Sequence, residues 1–205
     1  MNTLLQQSLD SPVGQYWNGL KKEEVEEAIL TNASKTGFLP TDFRKLFPES
    51  TSTVLDFGCG VGRNIDVLRA SFSNFKQYLG YDLPGMLSLM TLEKRCKYDR
   101  TTSDFEVVKT FKPRIIFASL VFQHIPTHTL MRYLLEMSQW PNLLYVHSRW
   151  YNDQDKQGIM DIIYGSEIYS PVWVSKEALE LNKEDYDPEL HWSAIFASQV
   201  FQVSA

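Results

Sequence analysis

Three glycines spaced two positions apart, Gly58, Gly60 and Gly62, follow an acidic residue, Asp56, at the end of a short β-rich run, Thr53-Val54-Leu55. Glycine lets a backbone turn sharply and approach a ligand, and a helix starting just after it offers unpaired N–H groups and a partial positive charge. A dinucleotide loop needs G-x-G-x-x-G, whereas position 63 here is Arg. Asp56 departs from that pattern as well, because a carboxylate repels a pyrophosphate and welcomes a cation. Asp82 stands about 20 residues further on, after a second β-rich run, where an acid can accept from both hydroxyls of a ribose. Leu83, Pro84 and Met86 beyond it offer apolar surface to a flat heterocycle. Aspartate is common at strand ends as a turn former. Two of them on one glycine frame point instead to a positively charged nucleoside ligand.

The elements that would position these residues alternate. Residues 53–57 and 77–81 read as strands, and 64–70 and 86–95 as the helices behind them. Part of a third strand is expected within 105–108. Residues 114–120 are almost continuously apolar, as a strand buried on both faces of a parallel sheet must be. Pro126 and Thr127 open a helix carrying Leu130, Leu134 and Met137 on one side, and 142–147 is a further buried strand. This alternation predicts an α/β fold, a doubly wound Rossmann-like sheet. Residues 193–203 read as a last strand, pairing antiparallel at an edge. Ahead of the sheet, 1–50 reads as a helical N-terminal extension or lid, with an amphipathic helix over 21–30 and a short one ending at Pro48. Residues 51–205 form the second unit, and 151–190 are expected to hold insertions on the substrate side.

The segment VLDFGCGVGRN (54–64) resembles the first motif of class I S-adenosylmethionine-dependent methyltransferases, and YDLPGM (81–86) resembles the acidic motif that follows it. Ser103-Asp104-Phe105 is similar to the family's acidic-aromatic pair at the adenine, and FASLVFQHIP (117–126) to the motif after strand four. The resemblance covers roughly half of the chain, with four motifs in the family's order. It implies the seven-stranded methyltransferase sheet and S-adenosylmethionine as methyl donor, with S-adenosylhomocysteine as product. It also implies donor contacts from the loop residues Phe57, Gly58, Cys59, Gly60 and Asn64, with Asp56 toward the ammonium. Asp82 would hold the ribose beside Leu83, Asp104 and Phe105 would meet the adenine, and Ser119 would face the methionine part.

On the acceptor side, His124 lies just past strand four, where the methyl should emerge. It is the candidate catalytic base, since an imidazole titrates near neutrality at about 6.5. Gln123, His147, Arg149 and Trp150 are expected around the acceptor, with Tyr16 or Trp17 closing over it. His124 and His128 have a zinc-like spacing, but Pro126 interrupts any shared helix and no third ligand is evident, so no metal is expected. The Asn/Asp-Pro-Pro-aromatic motif of base-amino methyltransferases is replaced by Ser119-Leu120-Val121-Phe122.

Composition narrows the partners. Twenty Lys and Arg against 25 Asp and Glu give a net charge of −5, and no dense basic cluster appears, so nucleic acid is a disfavoured partner. No apolar run is long enough to span a bilayer and the first ten residues lack a signal-peptide pattern, so a soluble cytoplasmic protein is expected. The two cysteines fit neither a disulfide framework nor a zinc site. The leading expectation is methyl transfer to an oxygen or nitrogen of a small molecule. Methylation of a protein or carbohydrate polymer, or a non-catalytic donor-binding subunit, stand as alternatives; the oligomeric state is open.

Overall fold

A computed structural model describes residues 3–25, 53–71, 75–149, 162–163, 167–174 and 191–200. Seven strands form one sheet in the order β3-β2-β1-β4-β5-β7-β6. They are β1 (Thr53–Phe57), β2 (Gln77–Tyr81), β3 (Arg100–Thr102), β4 (Ile115–Ser119), β5 (Leu143–Arg149), β6 (Tyr169–Val174) and β7 (His191–Ser198). The first five run parallel, while β7 lies antiparallel to both β5 and β6. β7 is therefore interior and β6 takes the edge, which corrects the expected edge position of the last strand. Strand β1 sits between β2 and β4, and this reversal of winding opens a crevice at the strands' carboxyl ends.

Alternation along the strands divides the core in two. Leu55, Phe57, Leu79, Tyr81 and Ile116 face α6 (Phe105–Phe111) and α7 (Thr127–Met137). Val54, Tyr78, Ile115 and Phe117 face the other way, toward Ile65 and Leu68 of α3 (Ile65–Ser71). Every residue of β4 is buried, as its apolar run requires.

Two expectations change. The third strand is Arg100–Thr102, and 105–108 is helical. Asp104 caps α6 by accepting from the Glu106 N–H at 3.0 Å, which leaves Phe105 and Val108 one turn apart on the buried face. The helix expected over 86–95 is two, α4 (Pro84–Leu89) and α5 (Leu92–Arg95). Met90 is extended between them, and Thr91 starts the second by accepting from Lys94 N–H.

At the N-terminus, α1 (Leu4–Asp10) and α2 (Pro12–Gly19) are capped by Thr3 and Ser11, with Pro12 in the first turn of α2. Leu4 joins the core beside α7. Asn18 Oδ1 accepts from Gly85 N–H at 2.8 Å, and a Cβ on Gly85 would lie 1.9 Å from the Asn18 carbonyl oxygen, so α2 meets α4 backbone to backbone. Residues 22–25 are helical, with Val25 buried; the rest of that expected helix and the one ending at Pro48 lie outside the described residues. Most of 151–190 does too, apart from β6 and its approach. Among the described residues no helix is long and apolar enough to cross a membrane.

Candidate active site

The glycine loop is pinned to the strand beside it. Gly58 and Cys59 both donate their N–H to the Tyr81 carbonyl, at 2.8 and 3.1 Å. Gly58 holds φ 73°, and a Cβ there would lie 2.3 Å from a methyl of Val121, so both conformation and contact demand glycine. Asp82, just past β2, closes the cradle from the other side. Its Oδ2 accepts from Gly60 N–H at 2.5 Å and its Oδ1 from Leu83 N–H at 2.6 Å. Burial pushes its carboxyl up to about 6, the two N–H groups pull it down, and the charge of Asp56 raises it.

Asp56 has another task than the one expected. It lies behind the loop, and both its oxygens are occupied: Oδ2 accepts from the Tyr98 hydroxyl at 2.6 Å and Oδ1 from the Asn64 amide at 3.3 Å. Burial lifts its carboxyl to about 6 against those two bonds and the charge of Arg63. Burial, with the charge of the same acid, raises the Tyr98 phenol far above its usual range. Asp56 thus fixes the loop from behind rather than facing a ligand.

A cavity of about 220 Å³ opens above the loop. One wall is Gly58, Gly60 and Asp82 with Leu83 and Met86; another is Ser119, Gln123 and His124; α1 and α2 roof it with Ser8 and Trp17. Phe122–His124 form a 3₁₀ turn after β4, which turns His124 toward the roof. The Trp17 and His124 rings sit 4.9 Å apart, centroid to centroid. Gln123 meets His124 Nε2 at 3.2 Å and accepts from the Ser148 hydroxyl at 2.9 Å. A hydroxyl chain crosses the back: Ser8 to Tyr133 at 3.2 Å, and Tyr133 to Tyr81 at 2.8 Å.

The structure thus gathers Phe57, Gly58, Cys59, Gly60, Asn64, Asp82, Leu83, Ser119, Trp17, Gln123 and His124 around one space. It keeps others away from it. Asp104 is exposed, caps α6 and borders a separate groove. Phe105 is buried against Tyr81 and Tyr133. His147 is buried, its Nδ1 2.9 Å from Ser119 Oγ, and stands behind the wall because β4 and β5 pair at those two residues. Tyr16 is 62% exposed and packs edge-on to Trp17, but it does not line the cavity. Arg149 ends β5, and Trp150 lies outside the described residues. Sequence reasoning passed over Arg63, Tyr81, Tyr133 and Ser8 as cavity residues. Tyr81 directly precedes Asp82, and Tyr133 sits between Leu130 and Leu134 on the buried side of α7, so both were signalled only as core.

A family model described as a methyltransferase domain matches residues 32–172, more than half of the chain. The chain belongs to that family, and with this sheet and loop it is a class I S-adenosylmethionine-dependent methyltransferase. No curated protein matches it in sequence. Among solved structures it is similar to a SAM-dependent methyltransferase from Aquifex aeolicus, at 13% identity and a TM-score of 0.58, over 87% of this chain and 99% of that one. It is similar also to the mitomycin 7-O-methyltransferase MmcR, at 13% and 0.56, over 96% of this chain and 61% of that one. A putative rRNA methylase from Clostridium thermocellum aligns at 14% and 0.55, over 77% and 92%. At such identities the likeness is one of fold.

Proposed function

We propose that this protein transfers the methyl group of S-adenosylmethionine to an oxygen or nitrogen of a small molecule in the cytoplasm, with residues 1–50 serving as the lid. One observation carries the reading: the Gly60–Asp82 cradle opens into the same roofed cavity as Gln123 and His124. The residues fit the donor. A carboxylate has about four lone-pair sites, and Asp82 uses two on backbone N–H groups, which leaves acceptors for two ribose hydroxyls. Leu83 and Met86 supply the apolar flank.

Bound there, the donor supplies a methyl carbon already activated by its sulfonium leaving group. The chain's own work is then positioning, exclusion of water and removal of the acceptor's proton. Held by Asp82 and the Gly58–Gly60 loop, the donor would offer the acceptor's lone pair an electrophilic carbon and take the C–S pair away as a thioether. Trp17 and the roof helices keep water from the sulfonium, Gln123 orients the acceptor by a neutral hydrogen bond, and a ring nitrogen of His124 takes the proton. A largely apolar cavity roofed by α1 and α2 favours a small acceptor over a polymer, which needs a long open groove.

Calorimetry and labelling test this in sequence. S-adenosylhomocysteine should bind and NAD should not. With the methyl of the donor radiolabelled, a cell extract should yield label in the low-molecular-weight fraction. Label confined to protein, polysaccharide or RNA would overturn the small-molecule reading; NAD binding without either sulfur ligand would overturn the donor.

A further inference from the structure

Two hydrogen bonds on the acceptor wall fix which end of an amide faces the cavity. Gln123 and His124 both line that space. The Gln123 amide nitrogen lies 3.2 Å from His124 Nε2. That nitrogen has only N–H to offer, so Nε2 accepts, and the proton of the neutral ring sits on Nδ1. The other end of the amide is held from behind. Ser148, buried on β5, donates its hydroxyl to Gln123 Oε1 at 2.9 Å. Neighbouring residues of a strand face opposite ways, so His147 turns to Ser119 while Ser148 reaches the 3₁₀ turn.

These bonds give the wall one polarity, an N–H of Gln123 beside a lone pair of Nε2. The amide carries two N–H donors, and the one on Nε2 yields to an arriving oxygen. Two nitrogens 3.2 Å apart can share that oxygen at about 2.9 Å from each. A hydroxyl completes the set. Its oxygen accepts from Gln123 through one lone pair, its hydrogen goes to Nε2, and its second lone pair is left for the methyl carbon. A neutral amine cannot do this. Its single lone pair is needed for the attack, and what remains are N–H bonds that would meet the Gln123 N–H head-on. A carboxylate lacks the hydrogen that Nε2 calls for, and would bring its charge against the lone pair of the ring.

We propose that Ser148, acting through Gln123, commits this cavity to a hydroxyl acceptor, so that the product is a methyl ether. The inference rests on the methyltransferase reading above and names its acceptor atom. As the free pair of the oxygen bonds to the methyl carbon, the C–S pair leaves with sulfur, and the O–H proton passes to His124 Nε2. The ring is then a cation, and it gives that proton to solvent before the next turnover. The ether oxygen keeps two lone pairs, one for Gln123 and one for Nε2–H. Ser148 does not line the cavity and is a positioning residue.

Two measurements test this, and the first needs no acceptor. Ring-nitrogen NMR of the ligand-free protein, with the imidazole neutral, should show His124 as the Nδ1–H tautomer. Ser148→Ala frees the amide to turn, and the single tautomer should give way to a mixture. A wild-type ring protonated on Nε2 would mean that Gln123 presents its carbonyl, and would overturn the inference. So would a Ser148→Ala protein that keeps the wild-type tautomer. Should that variant not fold, Gln123→Met removes the bond to Nε2 and is read in the same way. The second measurement uses a cell extract and a donor with an isotope-labelled methyl, whose NMR shift tells oxygen from nitrogen. Label should appear in a methyl ether. An N-methyl product would overturn the hydroxyl assignment and leave the methyltransferase reading standing. No labelled small molecule at all would bring down the reading on which the assignment rests.

Discussion

Asp82 and His124 carry the two halves of the proposed reaction, and each has its own signature. Asp82 has a folded pKa of about 6 against an ordinary value of 3.8. The ribose hydroxyls would donate to its ionised form, so donor affinity should be full above pH 6. It should weaken as pH falls through 6, by up to about tenfold per unit. Asp82→Asn should bind more weakly at pH 7.5 and lose that pH dependence; a wild-type titration flat from pH 7.5 to 5 would show the ribose assignment wrong. Stability of the ligand-free protein should run the other way. Asp56 and Asp82 are both raised, so the folded state holds more protons between about pH 4 and 6, and the urea midpoint should decline across that window. His124→Ala should leave S-adenosylhomocysteine binding intact and lower turnover by roughly 10²- to 10⁴-fold. Normal turnover would make His124 a support for Trp17 rather than a base.

At the scale of elements, the roof depends on how closely α2 can approach α4. Gly85 makes that approach possible, since a methyl group there would meet the Asn18 carbonyl oxygen at 1.9 Å. Gly85→Ala should lift α2 away from α4 while the sheet stays folded. Amide exchange over residues 3–19 should accelerate, and S-adenosylhomocysteine affinity should fall. Accelerated exchange with unchanged affinity would mean that the roof does not serve the donor. This contact also marks where the sequence stopped informing. Gly58, Gly60 and Asp82 were readable because loop and acid obey a local spacing rule set by backbone geometry. That α2 roofs the cavity depends on a contact between residues 18 and 85, which no local pattern encodes. The β3 region misled for a related reason. Phe105, Val107 and Val108 have strand-forming side chains, but the Asp104 cap and the i, i+3 burial of Phe105 and Val108 made the segment helical. His147 looked like a rim residue by position, and register alone decided that its ring bonds Ser119 instead.

For the whole molecule, the open question of acceptor class turns on charge. The fold does not choose, since structures of similar shape include a mitomycin 7-O-methyltransferase and a putative rRNA methylase. A protein that grips RNA needs cations free to replace counterions along a phosphate backbone. Here the net charge is −5, and three surface lysines are already paired with carboxylates. Lys94 and Lys97 both contact Asp66, Lys97 also lies 3.0 Å from Glu93, and Lys109 bridges Glu106 and Glu136 at 3.0 and 3.3 Å. Each pair is partly exposed and contributes little to stability, yet together they engage three lysines that phosphate would otherwise claim. Structured RNA offered with labelled donor should therefore remain unlabelled, and filter retention of that RNA should be negligible at 150 mM salt. The small-molecule reaction, once its acceptor is found, should be nearly indifferent to salt between 50 and 200 mM. For a protein with six to ten phosphate contacts, affinity would fall by about 10³ to 10⁵ over the same interval. RNA-dependent labelling with that steep salt slope would move the acceptor to nucleic acid.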